Sequence, residues 1–193
     1  LGYIPNDVAR GLKTHRSHTV GVMVPDLSNA FGAILIGAME QALFRAGYSI
    51  LVCDYRAIGR SEAETAEFLL SKMVDALAVI PQSGDGAFLD GAVAAGLPVC
   101  VLDCLVSRRD ILQVTVGNRE ISRAAAEALL ARGHRRIAML AGNPSLSTAA
   151  ERRAGFREAL TDAGCFRPDL VLDGGLSVEG GYLAMREALL RGA

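Results

Sequence analysis

The chain has 193 residues, 51% of them hydrophobic and 21% charged, with a formal net charge of −1. That balance excludes global disorder, and the length suits one large domain or two small lobes. Uncharged apolar runs are short: Ala30 to Met39 has ten residues and two glycines, against the roughly 20 that a membrane-spanning helix needs.

Charge is distributed locally. Arg10, Lys13 and Arg16 against Asp7 give residues 1–18 a net +2, leaving −3 on the rest. The body cannot coat nucleic acid by its own field, but the leader can touch phosphate. Residues 6–13 form the first helical candidate. Asn6 can cap it, Val8 and Leu12 share a face, and Arg10 and Lys13 point elsewhere. Eight residues are too few for a stable isolated helix, and Gly11 costs a further ~1 kcal/mol relative to Ala, so this segment should fold only against a partner.

Beyond the leader, strand-like and helix-like stretches alternate. Short apolar runs occur at Thr19–Val24, Tyr48–Cys53, Ala76–Ile80, Pro98–Leu102, Gln113–Val116, Arg136–Ala141 and Leu170–Leu172. Helical spacing fills Asn29–Ala46, Ser61–Ser71, Asp85–Ala95, Arg119–Arg132, Ser147–Ala163 and Ser177–Arg191. In the first of these, Phe31, Leu35, Met39 and Leu43 fall on one face, and Gly47 supplies a C-terminal cap. Ser61 and Glu64 form a capping box. Strands separated by helices of this length predict an α/β fold with parallel sheets, and their nearly continuous apolar character predicts helices on both faces.

Ligands bind such sheets at the carboxyl ends of the strands. The residues there are Pro25 to Asn29, Asp54 to Arg56, Pro81 to Ser83, Asp103, and Gly117-Asn118. Each is also an ordinary turn or cap residue, so the case for a site rests on the set. Cys53, Cys100, Cys104 and Cys165 match neither a zinc ribbon nor a redox pair and read as reduced thiols. His15, His18 and His134 show no metal spacing.

Several segments, in order, resemble the lactose/galactose repressor (LacI/GalR) family. These are Leu1 to Asn6, Val8 to Leu12, Thr19 to Asn29, Arg132 to Ala138 and Ser147 to Phe156. The resemblance implies a periplasmic-binding-protein-like fold of two Rossmann-like lobes, the second incomplete here. It divides the chain into a hinge and linker (1–17), an N-terminal lobe (18–133) and part of a C-terminal lobe (134–193), with a helix-turn-helix headpiece expected ahead of Leu1. It implies a cytoplasmic transcription regulator, a repressor acting as a homodimer on operator DNA. A small-molecule effector, a sugar or derivative bound between the lobes, would control operator affinity.

By the same resemblance, Asn6, Arg10, Leu12 and Lys13 would contact DNA, with Leu12 as the wedge between base steps. Asp26, Asn29, Phe31, Asp103, Asn118 and Arg152 would contact the effector. Arg152 stands three residues before Gly155, where the family commonly places an effector-anchoring arginine. Cys104, Gly117, Ala150 and Gly175-Leu176 depart from common family residues, each losing charge or ring area, which argues against a typical hexose.

Two rivals stay open. A solute-binding receptor of a transporter shares the architecture, but it needs export and has no use for the leader. A dinucleotide-fold enzyme would need a glycine motif where Val24-Pro25-Asp26 stands, and neither a phosphate loop nor a nucleophile elbow occurs. No enzyme activity, cofactor, metal or membrane association is expected.

Overall fold

The computed structural model describes residues 16–192. Asn6, Arg10, Leu12 and Lys13, the hinge candidates, lie outside the described residues. The chain divides into two units. The first runs up to Leu102 and includes Val106–Val114; the second holds Asp103–Leu105 and everything from Thr115 onward.

The first unit is a parallel five-stranded sheet of order β2-β1-β3-β4-β5. Its strands are β1 (Thr19–Val24), β2 (Ser49–Asp54), β3 (Ala76–Val79), β4 (Val99–Leu102) and β5 (Leu112–Val114). Helices α1 (Ala30–Arg45), α2 (Glu62–Ser71) and α3 (Asp90–Ala94) make the crossovers from β1 through β4, and residues 103–111 join β4 to β5 without a helix. Val22, Met23 and Val24 are almost fully buried, as expected of a strand covered on both faces. On one face Val20, Val22, Val24, Ala78 and Ile80 take Leu35, Ile36, Met39 and Leu43 of α1. On the other, Met23, Leu77, Val79 and Val101 pack with Leu69 of α2 and Leu89. Each fully buried Leu or Val contributes about 1.5–3 kcal/mol. Gly21 fits a tight spot on β1: a Cβ there would lie 3.1 Å from the Leu77 side chain and 3.2 Å from that of Leu69 on α2.

The helix expected over Asp85–Ala95 is two pieces, a 3-10 turn at Ala87–Leu89 and the short α3. Gly86, at φ 76°, sets the turn's entry. Phe31, expected on the core face of α1, is 52% exposed instead. It sits in the first turn, beyond the edge of the apolar contact.

In the second unit, β6 (Met139–Ala141) pairs in parallel with β7 (Val171–Asp173). The helices are α4 (Asn118–Ala131), α5 (Ser147–Asp162) and α6 (Val178–Leu190). β6 is shorter than the apolar run at Arg136–Ala141 because its partner offers only three residues. Leu170 ends a 3-10 turn begun by Pro168 rather than starting β7. Ala126, Ile137, Phe156, Ala159 and Leu160 form one cluster, and Leu172, Ala184 and Ala188 another.

The unit boundary falls between Val114 and Thr115, not at 133/134 as the resemblance suggested. The physical reason is that α4 packs along α5. A built Cβ at Gly155 on α5 would overlap the Arg119 carbonyl oxygen and lie 2.9 Å from its carbon and 3.0 Å from the Arg123 nitrogen. Only glycine lets the two backbones approach this closely.

Candidate functional site

In the first unit the strand ends carry a network of short polar bonds. Asp26, after β1, accepts the Ser28 hydroxyl at 2.6 Å and the Ser28 N–H at 2.7 Å, bonds that hold its carboxyl below the usual range. Asn29 caps α1 through Oδ1, which accepts the N–H groups of Phe31 and Gly32 at 3.0 and 3.4 Å. Its Nδ2 has no partner among the described residues. The Phe31 ring follows immediately and stays half exposed.

Asp54, at the end of β2, accepts Leu27 N–H at 2.8 Å and Ala57 N–H at 2.9 Å, tying the loop after β1 to that after β2. Glu62, in the first turn of α2, accepts Gln82 N–H at 2.7 Å and the Ser83 hydroxyl at 2.6 Å. Asp54, Gln82 and Ser83 were among the strand-end candidates; Glu62 was not. The capping box at Ser61 places Glu62 at the helix start, but its bond to a loop 20 residues on leaves no periodic signal.

In the second unit, Asp103 has φ 67°, a left-handed conformation uncommon for a residue with a side chain. Its carbonyl accepts the Thr115 hydroxyl at 2.6 Å. Cys104 is buried beside the Thr148 hydroxyl at 3.5 Å, and burial pushes its thiol pKa up. Leu105 N–H donates to the Ser147 hydroxyl at 2.6 Å. Asn118 opens α4 and is 5% exposed. Its Nδ2 donates to Val116 O at 3.3 Å and Thr115 Oγ1 at 3.4 Å, and its Oδ1 accepts Arg152 Nε at 2.7 Å.

Arg152 and Arg153 differ in their partners. Arg153 donates to Asp173 and to Gly142 O, and its Nε is buried without a partner. Arg119 and Arg123 pair with Glu158 and Asp162. Arg152 has no carboxylate partner among the described residues; its one bond, to a neutral amide, orients the guanidinium and leaves its charge uncompensated. The close approach at Gly155, one helical turn further on, brings Arg152 and Asn118 together.

Within the first unit Asp26, Asn29 and Phe31 are neighbours, and within the second Asn118 and Arg152 are bonded. Asp103 reaches that pair through Thr115. An apolar cavity of about 770 Å³ in the first unit lies instead against the sheet face, lined by Met39, Leu43, Val20, Ala78, Cys100 and Leu112 among others. Its one charged lining side chain is Asp110, ahead of β5, and none of the proposed effector contacts lines it. All four cysteines are free. Among the described residues, no three His, Cys, Asp or Glu side chains cluster to hold a metal, and no helix is long and apolar enough to cross a membrane.

A family model describing periplasmic binding proteins and the sugar-binding domain of the LacI family matches residues 17–192. The chain is 28% identical over 191 residues to the ribose operon repressor of Haemophilus influenzae, covering 98% of this chain and 57% of that protein. It is 30% identical over 192 residues to the transcriptional repressor PurR of Erwinia tasmaniensis, covering 98% and 56%. Its fold matches the transcription regulator CcpA of Lactococcus lactis with a TM-score of 0.81 at 24% identity, over 91% of this chain and 65% of the other. The chain spans a little over half the length of the curated relatives it matches.

Proposed function

The chain belongs to the family of periplasmic binding proteins and LacI-type sugar-binding domains, and from that membership we propose that it is the effector-binding core of a transcriptional repressor. A small molecule, a sugar or derivative, controls the affinity of the whole protein for operator DNA. One observation carries this reading over that of a transport receptor. The family model begins at residue 17, yet the alignments to named repressors cover 98% of the chain, leaving about four residues outside. Most of the basic leader therefore aligns with repressors although it is no part of the binding domain.

The effector contacts proposed are Asp26, Asn29 and Phe31 in the first unit and Asp103, Asn118 and Arg152 in the second. Arg152 is the strongest of these. Its guanidinium, without a carboxylate partner among the described residues, suits vicinal hydroxyls, a carboxylate or a phosphate. The four leader residues Asn6, Arg10, Leu12 and Lys13 are proposed to touch DNA, in a homodimer acting in the cytoplasm. The reading is one of recognition, not catalysis.

Control by the effector is then a population shift. A ligand moves an equilibrium only by its differential affinity for the two states, and couplings of this kind are worth about 1–3 kcal/mol. The test is a thermal-shift screen against sugars, sugar phosphates, polyols and purines. The reading expects at least one hit whose shift disappears in Arg152→Ala; a hit whose shift survives that change removes Arg152 from the site.

A further inference from the structure

The amino edge of the first sheet holds a feature that the effector site does not use. Ser17 and His18 are the two residues between the basic leader and β1, and both are held by one side chain 57–58 residues away. Asp75 Oδ1 accepts the Ser17 N–H at 2.7 Å and the Ser17 hydroxyl at 3.0 Å, and Oδ2 accepts the His18 N–H at 3.0 Å. The Asp75 N–H donates to Thr19 O at 2.8 Å. The junction is fastened on its other side as well: Ser49 N–H donates to His18 O at 2.8 Å, and the His18 ring lies 5.4 Å from that of Tyr48.

Two backbone conformations at this point are ones side chains rarely adopt. His18 has φ 52° and Met73 φ 57°. The first turns the incoming chain so that two successive N–H groups face one spot, and the second brings Asp75 beneath them. Three donors converging there require an acceptor with two oxygens and no proton. An aspartate supplies it; an asparagine would set an NH₂ against one of the donors. Asp75 and Arg16 also line an open depression of about 540 Å³, with Tyr48, Met73, Leu97 and Pro98.

Strand β1 joins this junction to the candidate effector contacts. It is six residues long, about 20 Å at the usual rise per residue. It is buried from Val20 to Val24 and hydrogen-bonded on both edges, by β2 and by β3. Ser17 and His18 stand at its amino end, and Asp26 and Asn29 follow its carboxyl end.

We propose that Asp75 is a latch fastening the basic leader to the amino end of β1, so that displacement of β1 at its effector-facing end is delivered to the leader. This rests on the regulator reading given above, but its physical core does not require it. Asp75 is a positioning residue: it touches neither DNA nor effector.

The test compares wild type with Asp75→Ala, Asp75→Asn and Ser17→Ala in the full chain, by amide hydrogen exchange resolved to single residues. The latch predicts that Ser17 and His18 exchange at least tenfold faster in Asp75→Ala, with Val22 to Val24 unchanged. Asp75→Asn should fall between, since its one oxygen accepts one N–H. Ser17→Ala should perturb His18 little. Exchange at Ser17 and His18 within twofold of wild type in Asp75→Ala overturns the proposal. Equal acceleration at Val22 to Val24 also overturns it, because Asp75 would then serve only global stability. If Asp75→Ala does not fold, Asp75→Asn decides: exchange at Ser17 or His18 faster than wild type with Val22 to Val24 unchanged supports the latch, and wild-type exchange at both, or equal acceleration at Val22 to Val24, overturns it.

A second arm uses a DNA duplex selected on the wild-type protein from a randomised library, in the longest polypeptide that carries this sequence. The latch predicts at least tenfold weaker binding of that duplex by Asp75→Asn, with an unchanged melting temperature. Unchanged duplex affinity alongside released amides overturns the coupling. Failure of the wild type to select any duplex overturns the regulator reading instead, and the exchange data still judge the latch.

Discussion

Gly155→Ala probes the packing that builds the Arg152–Asn118 pair. The added Cβ would overlap the Arg119 carbonyl oxygen and stand 2.9 Å from its carbon, where nonbonded carbons rest at about 3.5–4.0 Å. The obstructing atoms are backbone, so no side chain can swing aside, and because the oxygen is the nearer of them α4 and α5 must part by about 1 Å. Forcing a methyl into a close-packed contact costs typically about 1–3 kcal/mol and occasionally more, and the upper end applies where backbone must move. Alanine returns ~1 kcal/mol through its better helix propensity. A net loss of about 2 kcal/mol remains, and the 2.7 Å bond between Arg152 and Asn118 should lengthen out of hydrogen-bonding range. Urea denaturation followed by far-ultraviolet circular dichroism would measure the loss, and the thermal-shift response to a screened effector would report the bond. A stability within 0.5 kcal/mol of wild type, with the effector response intact, would refute the close-approach argument.

Three further outcomes are expected. Arg152→Ala should leave the unfolding midpoint nearly unchanged, because the side chain is exposed and its one bond among the described residues is to Asn118, yet should abolish the thermal shift with effector. Ser61→Ala removes the capping box of α2 and should cost ~1 kcal/mol in denaturant titrations. Glu64 is held below the usual carboxylate range by its bonds to the Ser61 N–H and hydroxyl. Its contribution is therefore fully present at neutral pH and fades as pH falls below that range, so the gap between wild type and Ser61→Ala should narrow under acid without closing, because the bond from the Glu64 N–H to the Ser61 hydroxyl does not titrate. Leu12→Ala in the longest polypeptide carrying this sequence should weaken binding to a selected duplex without changing the effector response, as measured by fluorescence anisotropy.

Much of the fold was legible because local and global preferences agree. The run Thr19–Val24 could only be a strand buried on both faces, and the capping box at Ser61 and Gly47 after α1 mark helix ends where they are observed. The helix after Asp85 was misjudged because Gly86 permits a left-handed turn that periodicity does not register. The unit boundary was missed for a related reason: α4 reads as an amphipathic helix whichever sheet it serves, and only its contact at Gly155 shows that it belongs with α5. Of the site, Asn118 and Arg152 were legible through the family resemblance, while the bond joining them was not. Asp75 was invisible, since an aspartate ahead of a strand is an ordinary turn residue until the partners 57 and 58 positions earlier are known.

Selection of DNA from a randomised duplex library, on the longest polypeptide that contains this chain and with and without a thermal-shift hit, tests the central claim most directly. The account predicts that one sequence is enriched and that the hit changes its affinity by between about fivefold and 150-fold. Retention of duplexes without sequence preference, or an affinity indifferent to a ligand that demonstrably binds, would contradict it.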